Sequence, residues 1–147
     1  MIAIVQRVKS CSVLIEDKIQ STINHGMLVF LGIEVGDSID AIKYITDKII
    51  KLRIFDDNQN KMNLSIGDVG GSIMVVSQFT LCGDTKKGNR PSYMNAMPPK
   101  DSKPLYDSFM EYIKSCYSQV ESGIFQADMN ISLINDGPVT LIVRSKN

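Results

Sequence analysis

The sequence predicts an α+β fold in which two main helices pack on a mostly antiparallel or barrel-like β-sheet. Apolar, β-branched segments typical of strands lie near both ends of the chain, at 2–15 and 129–144. Between them, segments near 42–52 and 104–120 space their apolar residues along one face of a helix. This order favours helices layered on one sheet. The length of 147 residues suits one compact domain, 1–147.

The composition is that of an ordinary globular protein, with 44% apolar and 22% charged residues. A chain of this length buries roughly 70% of its unfolded surface, so its core needs no metal or disulfide. The 16 basic residues balance 16 acidic ones. A protein that coats a phosphate backbone usually carries a basic excess, whereas one that touches only the end of a nucleic acid needs none. The neutral charge therefore predicts a small electrostatic footprint.

Few residues are suited to metal or redox chemistry. Cys11, Cys82 and Cys116 are widely spaced, odd in number and form no C-x-x-C pair. That spacing argues against a disulfide framework and against a zinc site. The only histidine, His25, stands in a Gly-flanked segment, where a turn residue is more expected than a catalytic base. We therefore expect no metal and no cofactor.

No segment of the sequence predicts a membrane span or a leader. The longest uncharged apolar run, 27–33, is far too short to cross a bilayer. Gln6, Arg7 and Lys9 interrupt the apolar N-terminal segment, and no basic region precedes it. We expect a cytoplasmic protein with no membrane partner.

The first half of the chain predicts three strands and then a helix. Residues 2–8 and 11–15 are strands with a short break at Lys9–Ser10, and 27–33 is a strand buried on both faces. Four apolar residues at spacings of three, four and three predict the helix, with Asp37 or Ser38 as its cap. These four residues are Ile42, Ile45, Ile49 and Leu52.

The second half begins with a polar loop at 56–65 and a strand at 72–81. The segment 82–100 shows no period, and an irregular loop of this length inside a compact domain is usually functional. A second helix is predicted from about Pro104 to Val120, with Pro104 in its first turn. The residues expected on its apolar face are Leu105, Phe109, Ile113, Cys116 and Val120.

The strand predicted at 72–81 ends in polar residues that need hydrogen-bond partners. Strand alternation places Ser77 with Phe79 on one face, and Gln78 with Thr80 on the other. A hydroxyl nucleophile needs a base within reach, but neither a G-x-S-x-G nor an S-x-x-K motif is present. Alternatively, the hydroxyls bond to neighbouring backbone and end the strand. N–H groups left free at the strand end offer a third way to hold a ligand.

The segment NDGPVT, 135–140, has two interpretations. Asp136–Gly137 can supply the positive φ of a hairpin turn between strands at 129–135 and 138–144. Alternatively, the Gly137–Pro138 bond is cis, which would direct two adjacent carbonyl groups the same way as a rigid pair of acceptors. Only about 5–6% of X-Pro bonds are cis, which favours the hairpin.

A basic cluster stands in the irregular loop. Lys86, Lys87 and Arg90 fall within five residues of a chain that is otherwise neutral. Such a cluster is usually a solvated loop, but Arg and Lys are also the residues that would hold the phosphates of a nucleic-acid end.

Together these motifs resemble one family. SQFTL at 77–81 with NDGPVT at 135–140 is similar to the signature pair of the D-aminoacyl-tRNA deacylases, formerly called D-tyrosyl-tRNA deacylases. The segments MIAIVQRV, KMNLS, DTKKGNRPSY and ADMNISLI fall in the expected order, so the resemblance covers nearly the whole chain. It implies the fold of that family and a homodimer that uses no metal.

The resemblance also implies a reaction, which is hydrolysis of the ester that joins a D-amino acid, or glycine, to the 3′ end of tRNA. Gly137 and Pro138 would test the substrate's α-amino group in the partner subunit's pocket, so that L-aminoacyl esters are rejected and the active site lies at the subunit interface. The terminal 2′-OH of the tRNA would assist the attacking water. The residues expected to hold the ester are Ser77, Gln78, Phe79 and Thr80.

The resemblance assigns supporting roles to residues outside the two motifs. Arg7 would brace the Gly-Pro segment, while Phe125 and Met129 would line the pocket of the terminal adenosine. Ser102 stands on the pocket rim where several relatives carry Ala, and Gln126 stands where the family has a small residue. The expected phosphate contacts are Lys86, Lys87 and Arg90. The alternative function is a module that binds a tRNA end without cleaving it.

Overall fold

The computed structural model of the chain describes residues 1–145, so 146–147 of the expected domain lie outside the described residues. The strands are β1 (Ile2–Ile15), β2 (Lys18–Ile23), β3 (Gly26–Gly32), β4 (Phe55–Asp56), β5 (Met62–Leu64), β6 (Ser72–Ser77), β7 (Val120–Ser122) and β8 (Asn130–Arg144). The helices are α1 (Ile39–Lys51), α2 (Ile66–Val69) and α3 (Pro99–Cys116). A 3-10 turn, Phe79–Cys82, follows β6.

Strand β1 organises the sheet because it pairs along both of its edges. On one edge, its first half pairs antiparallel with β3 and its second half pairs with β2. On the other edge it pairs antiparallel with β8, from Ile2 opposite Arg144 to Leu14 opposite Asn130. Beyond β3, the sheet continues with β6 and β7 as parallel neighbours.

The sheet curls until its two ends touch. The strand order is β2-β1-β3-β6-β7, and the Ser21 hydroxyl on β2 donates a 2.9 Å hydrogen bond to the Ser122 carbonyl on β7. Among the described strands, only the β3–β6 and β6–β7 pairs are parallel. The predicted α+β class, with helices on a mostly antiparallel, barrel-like sheet, is therefore confirmed.

The first half of the chain differs from the prediction in three details. β1 runs through Lys9–Ser10 without a break. The irregularity lies in its pairing with β8, whose register shifts between Gln6 and Ser10. β2 was not predicted, since only its last residue, Ile23, is buried and its other residues show no apolar pattern. The predicted loop at 56–65 contains a short hairpin, in which β4 pairs antiparallel with β5.

The predicted terminal hairpin is wrong. Residues 130–135 and 138–144 both belong to β8, which follows β1 from end to end. Between them lies a bulge: Asn135 is opposite Val8 and Thr140 is opposite Gln6, so four residues of β8 face the single residue Arg7. An Asp-Gly pair favours a hairpin locally. Here β1 is long enough to pair with both halves, and that pairing overrides the local signal.

The helix α1 confirms the first predicted helix, except that Leu52 is its C-cap residue and lies outside it. Ser38 is its N-cap, although the Ser38 side chain makes no capping hydrogen bond. Asp37, the other predicted cap, accepts hydrogen bonds from the Met1 ammonium group and from the Glu34 N–H. The helix therefore begins beside the first residue of the chain, and an ion pair between Met1 and Asp37 holds the two together.

The helix α3 begins at Pro99 and not at Pro104, which lies inside it. Proline suits the first turn of a helix, and Pro99 carries that signal five residues earlier. Val120 lies in β7 and Cys116 is exposed, so the buried face of the helix ends at Ile113. With 18 residues α3 is the longest helix, and within 1–145 no helix is both long and apolar enough to cross a membrane.

Two apolar clusters cover the two faces of the sheet. The larger cluster joins the sheet to α1 and α3, where Ile45, Ile49, Phe109 and Ile113 are fully buried. The smaller cluster fills the inside of the curl. Residues of β3 enter both clusters, which confirms the prediction that this strand is buried on both faces. The residues of the smaller cluster are Val8, Cys11, Val13, Ile23, Leu28, Met74 and Val76.

The close approach of β3 to β6 predicts that position 26 accepts only glycine without a loss of stability. A Cβ at Gly26 would lie 1.8 Å from the Ser72 carbonyl oxygen, so Gly26→Ala forces the two strands apart. We expect the free energy of unfolding, measured by urea denaturation, to fall by at least about 1 kcal/mol. The control is Gly67→Ala in α2, whose Cβ would meet nothing closer than 3.8 Å. It should be neutral or slightly stabilising, and equal losses for both variants would contradict the close approach.

Candidate functional site

A cleft opens at the carboxyl ends of the three parallel strands β3, β6 and β7. Its volume is about 680 Å³, a size common for small-molecule sites. Ligands often bind where parallel strands end, because the loops that follow converge there. The walls come from the end of β6, the beginning of α3 and the segment between β7 and β8. The predicted site residues that line it are Ser77, Gln78, Phe79, Ser102, Phe125 and Met129.

The strand β6 ends at Ser77, so the strand predicted at 72–81 is too long. The pairing of β6 with β3 stops at Ser77, and the Gln78 N–H donates a last 2.8 Å hydrogen bond to the Leu31 carbonyl. Phe79 then begins the 3-10 turn. The predicted alternation of faces beyond Ser77 is therefore wrong, because no neighbouring strand continues far enough to keep the chain extended.

The 3-10 turn leaves backbone donors beside the cleft. Phe79 and Thr80 are its first residues, and the N–H groups at the start of a helical turn have no partner within it. The Gln78 side-chain amide donates a 2.6 Å hydrogen bond to the Thr80 hydroxyl oxygen. Thr80 itself is exposed and does not line the cleft. The backbone of this segment is thus better placed than the Thr80 hydroxyl to contact a ligand.

The cleft is poor in groups that could act as a base. Among its lining residues, only Tyr93 and Asp128 carry ionisable side chains. His25 does not line it and packs against Phe55, with 5.2 Å between the ring centroids. Within 1–145, no three His, Cys, Asp or Glu side chains are grouped closely enough to hold a metal ion. The cleft can therefore present backbone N–H groups to a ligand, but it offers a hydroxyl no histidine base.

One wall of the cleft is aromatic and apolar. Phe125 packs against the buried Tyr106 ring with 5.3 Å between centroids, and Lys103 Nζ lies 5.9 Å from the Phe125 ring centre. Burial raises the pKa of the Tyr106 hydroxyl well above its usual value, so this group stays neutral. Ser102 is buried in α3 nearby, and Gln126 adopts a positive φ of 65° in the adjoining turn. This wall is suited to a flat, uncharged group.

The Gly137–Pro138 segment lies outside the cleft. Its peptide bond is cis, as the second interpretation of NDGPVT required, and both residues are exposed. The Asn135 side-chain amide closes the bulge by donating to the Arg7 carbonyl at 3.0 Å and to the Val139 carbonyl at 3.1 Å. Two hydrogen bonds from one side chain thus hold the ends of the bulge together.

The buried side chain of Arg7 packs against the bulge. Arg7 is only 6% exposed, and its Nη1 donates to the Ile54 carbonyl at 2.8 Å. The same nitrogen lies 3.3 Å from Asp56 Oδ2, while Nε lies 3.1 Å from Asp136 Oδ2. The Nε–H is not aligned with that oxygen, so the contact with Asp136 is an ion pair without a hydrogen bond. Arg7 therefore ties the bulge to the segment before β4.

The basic cluster does not line the cleft. Lys86, Lys87 and Arg90 are all exposed in the segment between the 3-10 turn and α3. Asp84 and Ser92 pair through two backbone hydrogen bonds of 2.8 and 2.9 Å and close the base of this excursion. The expected irregular loop is present. Residues 84–92 form an exposed excursion of this loop, which we call the basic projection, and this excursion accounts for the length of the loop.

The predicted site residues other than Thr80 thus form three groups. One lines the cleft, the second surrounds the Gly137–Pro138 bulge with Arg7, and the third is the basic projection. Tyr93 and Asp128 line the cleft but were not predicted. Tyr93 stands in the irregular loop, and the length of that loop was the available signal. Asp128 directly precedes Met129, which was expected in the adenosine pocket, and that neighbour was the available signal.

Comparison with known proteins identifies relatives along the whole chain. The model of a family described as D-Tyr-tRNA(Tyr) deacylase matches residues 4–144. The D-aminoacyl-tRNA deacylase of Thermodesulfovibrio yellowstonii is 51% identical over 146 residues, which cover 99% of this chain and 100% of the relative. The corresponding protein of Flavobacterium psychrophilum is 51% identical over 148 residues, covering 100% and 99%.

Two solved structures share the fold. The c-Myc DNA Unwinding Element Binding Protein superposes with a TM-score of 0.96 at 37% identity and covers 100% of both chains. A probable eukaryotic D-amino acid tRNA deacylase superposes with a TM-score of 0.83 at 16% identity, covering 97% of both chains. At that identity, the second likeness concerns the fold alone.

The packing of Arg7 under the bulge predicts an effect of Gly137→Ala. Gly137 has a φ of +110°, and a Cβ there would lie 2.9 Å from both Arg7 Nη2 and Val139 Cγ2. We expect a loss of about 1–3 kcal/mol in unfolding free energy from the backbone, and a further loss from displacement of Arg7. Gly88→Ala is the control, since its φ is +66° with no atom within 4 Å of the added Cβ. Similar losses in urea denaturation would refute the contact with Arg7.

Proposed function

This chain belongs to the family of D-Tyr-tRNA(Tyr) deacylases, and on that premise we propose that it removes D-amino acids from mischarged tRNA. It is a hydrolase of the ester bond of D-aminoacyl-tRNA. The proposal extends to glycyl-tRNA as a second substrate and to the rejection of L-aminoacyl-tRNA. The observation that carries it is the family match over 4–144, together with a cleft at the end of β6.

The terminal adenosine of the tRNA occupies the apolar wall of the cleft. Phe125 and Met129 line that wall, and aromatic and apolar faces accept a stacked base. Ser102 lies at the first turns of α3 on the same wall and contacts the sugar or the base. The Phe125 ring is held by Tyr106 behind it, so the stacking surface is formed before the substrate arrives.

The ester lies beside Ser77 and the turn that follows. The N–H groups of Phe79 and Thr80 stabilise the oxyanion that develops on the ester carbonyl. The Gln78 amide keeps the Thr80 hydroxyl engaged at 2.6 Å and orders the pocket wall. The terminal 2′-OH of the tRNA assists the attacking water, which is consistent with a cleft that lacks a histidine base. The ester breaks to release tRNA and the free D-amino acid.

The active enzyme is a homodimer with its active site at the interface. The outer edge of β8 has no strand partner among the described residues, and it exposes Ile134, Leu141 and Ile142. An unpaired apolar edge of this length is normally covered. Gly137 and Pro138 lie on this edge, roughly 20 Å along β8 from Ile131 in the cleft wall. They therefore act in the partner's cleft rather than in their own.

Chirality is tested by the carbonyl groups of Gly137 and Pro138. They accept hydrogen bonds from the α-amino group of a D-aminoacyl ester, while the side chain of an L-amino acid would collide with the same segment. Arg7 and Asn135 hold the segment in place from their own subunit. Selectivity then arises from steric rejection, which a flexible segment would not provide.

The basic projection contacts the tRNA backbone. Lys86, Lys87 and Arg90 take phosphates near the acceptor end, and the neutral net charge limits the contact to a few phosphates. Residues 1–147 act as one domain. We place the enzyme in the cytoplasm, where charged tRNA is used.

The proposed stereochemistry predicts that D-Tyr-tRNA is hydrolysed and L-Tyr-tRNA is not. We expect the rates with the two enantiomers to differ by more than about 100-fold, because one extra steric conflict of a few kcal/mol suffices for that ratio. Release of free tyrosine from each charged tRNA measures it. Equal rates would overturn the chiral test at Gly137–Pro138.

The same assay separates hydrolysis from simple binding. The rival function is a module that binds a tRNA end without cleaving it, and one structural relative is named as a binding protein. Such a module would bind charged and uncharged tRNA equally well and release no amino acid.

The proposed mechanism predicts that Thr80→Ala remains active. The hydroxyl is outside the cleft lining, so we expect kcat to fall by less than about tenfold. Loss of a true nucleophile costs on the order of 10⁶-fold. Single-turnover hydrolysis of D-Tyr-tRNA measures the change, with Asp128→Asn as the matched test of the only carboxylate among the described lining residues. Abolished turnover in Thr80→Ala with intact tRNA binding would restore a protein nucleophile.

A further inference from the structure

Two aromatic side chains stand exposed together at the mouth of the cleft. Phe79 is 59% exposed and Tyr93 is 40% exposed, and their rings meet edge to face with 5.2 Å between centroids. Both residues line the cleft. Large aromatic side chains are normally mostly buried, so a pair held open to solvent at a cleft mouth is a surface that a ligand can cover.

The backbone holds this aromatic pair in place. The Tyr93 ring lies so close to Gly83 that a Cβ there would be 3.0 Å from Tyr93 Cε1. The Asp84–Ser92 pairing comes directly before Tyr93, and the Ala96 N–H donates to the Tyr93 carbonyl at 3.0 Å. Phe79 is held by the 3-10 turn that it begins. The pair is thus a fixed feature of the fold.

The charges next to the pair favour an anionic ligand. The projection closed by Asp84 and Ser92 carries three cations, and none of them enters an ion pair with any residue in 1–145. The one acidic residue within 84–92, Asp84, accepts a 2.9 Å hydrogen bond from the backbone N–H of Lys86. Exposed aromatic rings beside unpaired cations are the combination that binds single-stranded nucleic acid.

We propose that Phe79 and Tyr93 form an aromatic surface on which the base preceding the terminal adenosine of the tRNA stacks. We call this surface the stacking step. This inference rests on the proposed function, which puts the terminal adenosine against Phe125 inside the cleft. The single-stranded end leaves the cleft over the aromatic pair, and its next phosphates meet Lys86, Lys87 and Arg90. The step recognises any base, because every base has a face on which to stack.

A second copy of this chain is a poorer occupant of the same surface. A two-fold interface brings the same patch of both subunits together, and here it would bring two sets of three unpaired cations close to one another. The outer edge of β8, with its exposed apolar side chains, offers a dimer surface without that repulsion. In the proposed dimer the partner's Gly137–Pro138 segment reaches the ester inside the cleft, and the RNA end that leaves the cleft meets the aromatic pair.

The test uses short RNA that ends in the free 3′ adenosine. In the trinucleotide CCA, the middle base is replaced with the fluorescent analogue 2-aminopurine, which loses emission when it stacks. We expect quenching on binding to the unmodified protein, weak quenching with Tyr93→Ala, and restored quenching with Tyr93→Phe. The trinucleotide should bind Tyr93→Ala about tenfold more weakly. The control is Ile19→Ala, because Ile19 on β2 is an apolar residue that is even more exposed, at 68%, and does not line the cleft.

Three outcomes would overturn the stacking step. Unchanged quenching in both Tyr93→Ala and Phe79→Ala would show that the base does not stack there. A loss of kcat/KM in Tyr93→Ala as large for the D-tyrosyl ester of adenosine as for D-Tyr-tRNA would place Tyr93 at the ester itself. A change in oligomeric state of Tyr93→Ala by sedimentation would identify an interface between copies. Quenching in a protein that hydrolyses no D-Tyr-tRNA would refute the proposed reaction and leave the step intact.

Discussion

The pairing of β1 along both edges is the constraint on which the rest of the structure depends. On one side it fixes β3, and through β3 the parallel strands whose carboxyl ends open the cleft. On the other side it fixes β8 in register over the full strand, bulge included. The cleft and the Gly137–Pro138 bulge are therefore parts of one hydrogen-bonded sheet. A shift of β1 by one residue would reverse the faces of its neighbours and displace both.

The bulge keeps its shape because Asn135 and Arg7 tie it to neighbouring segments. Asn135 bridges two carbonyl groups, and the guanidinium of Arg7 joins Asp136 to the segment before β4. Arg7 is buried, and a buried charge is tolerated only when partners surround it. The same contacts that offset the burial of Arg7 therefore hold the exposed Gly137–Pro138 segment in one position. Under the proposed function, that fixed position is what allows a steric test of chirality.

Local patterns predicted most elements, and failed where a distant strand decides the outcome. The apolar spacing of Ile42, Ile45 and Ile49 identified α1, because an amphipathic helix carries its packing surface in its own sequence. The Asp-Gly signal at 136–137 predicted a hairpin, but both flanking segments found the same partner in β1. Phe79 and Thr80 were assigned to a strand that ends at Ser77, since no neighbour continues beside it.

The sequence by itself determined the class of fold, the candidate residues and the family, since these depend on composition, short motifs and local periodicity. Only the tertiary structure decided that Ser102, Phe125 and Met129 share one cleft with Ser77, and that Gly137 lies outside it. It also decided that Phe79 and Tyr93 stand together in solvent. The physical reason is that these contacts join residues far apart in the chain, and sheet pairing sets their distances while local propensity does not.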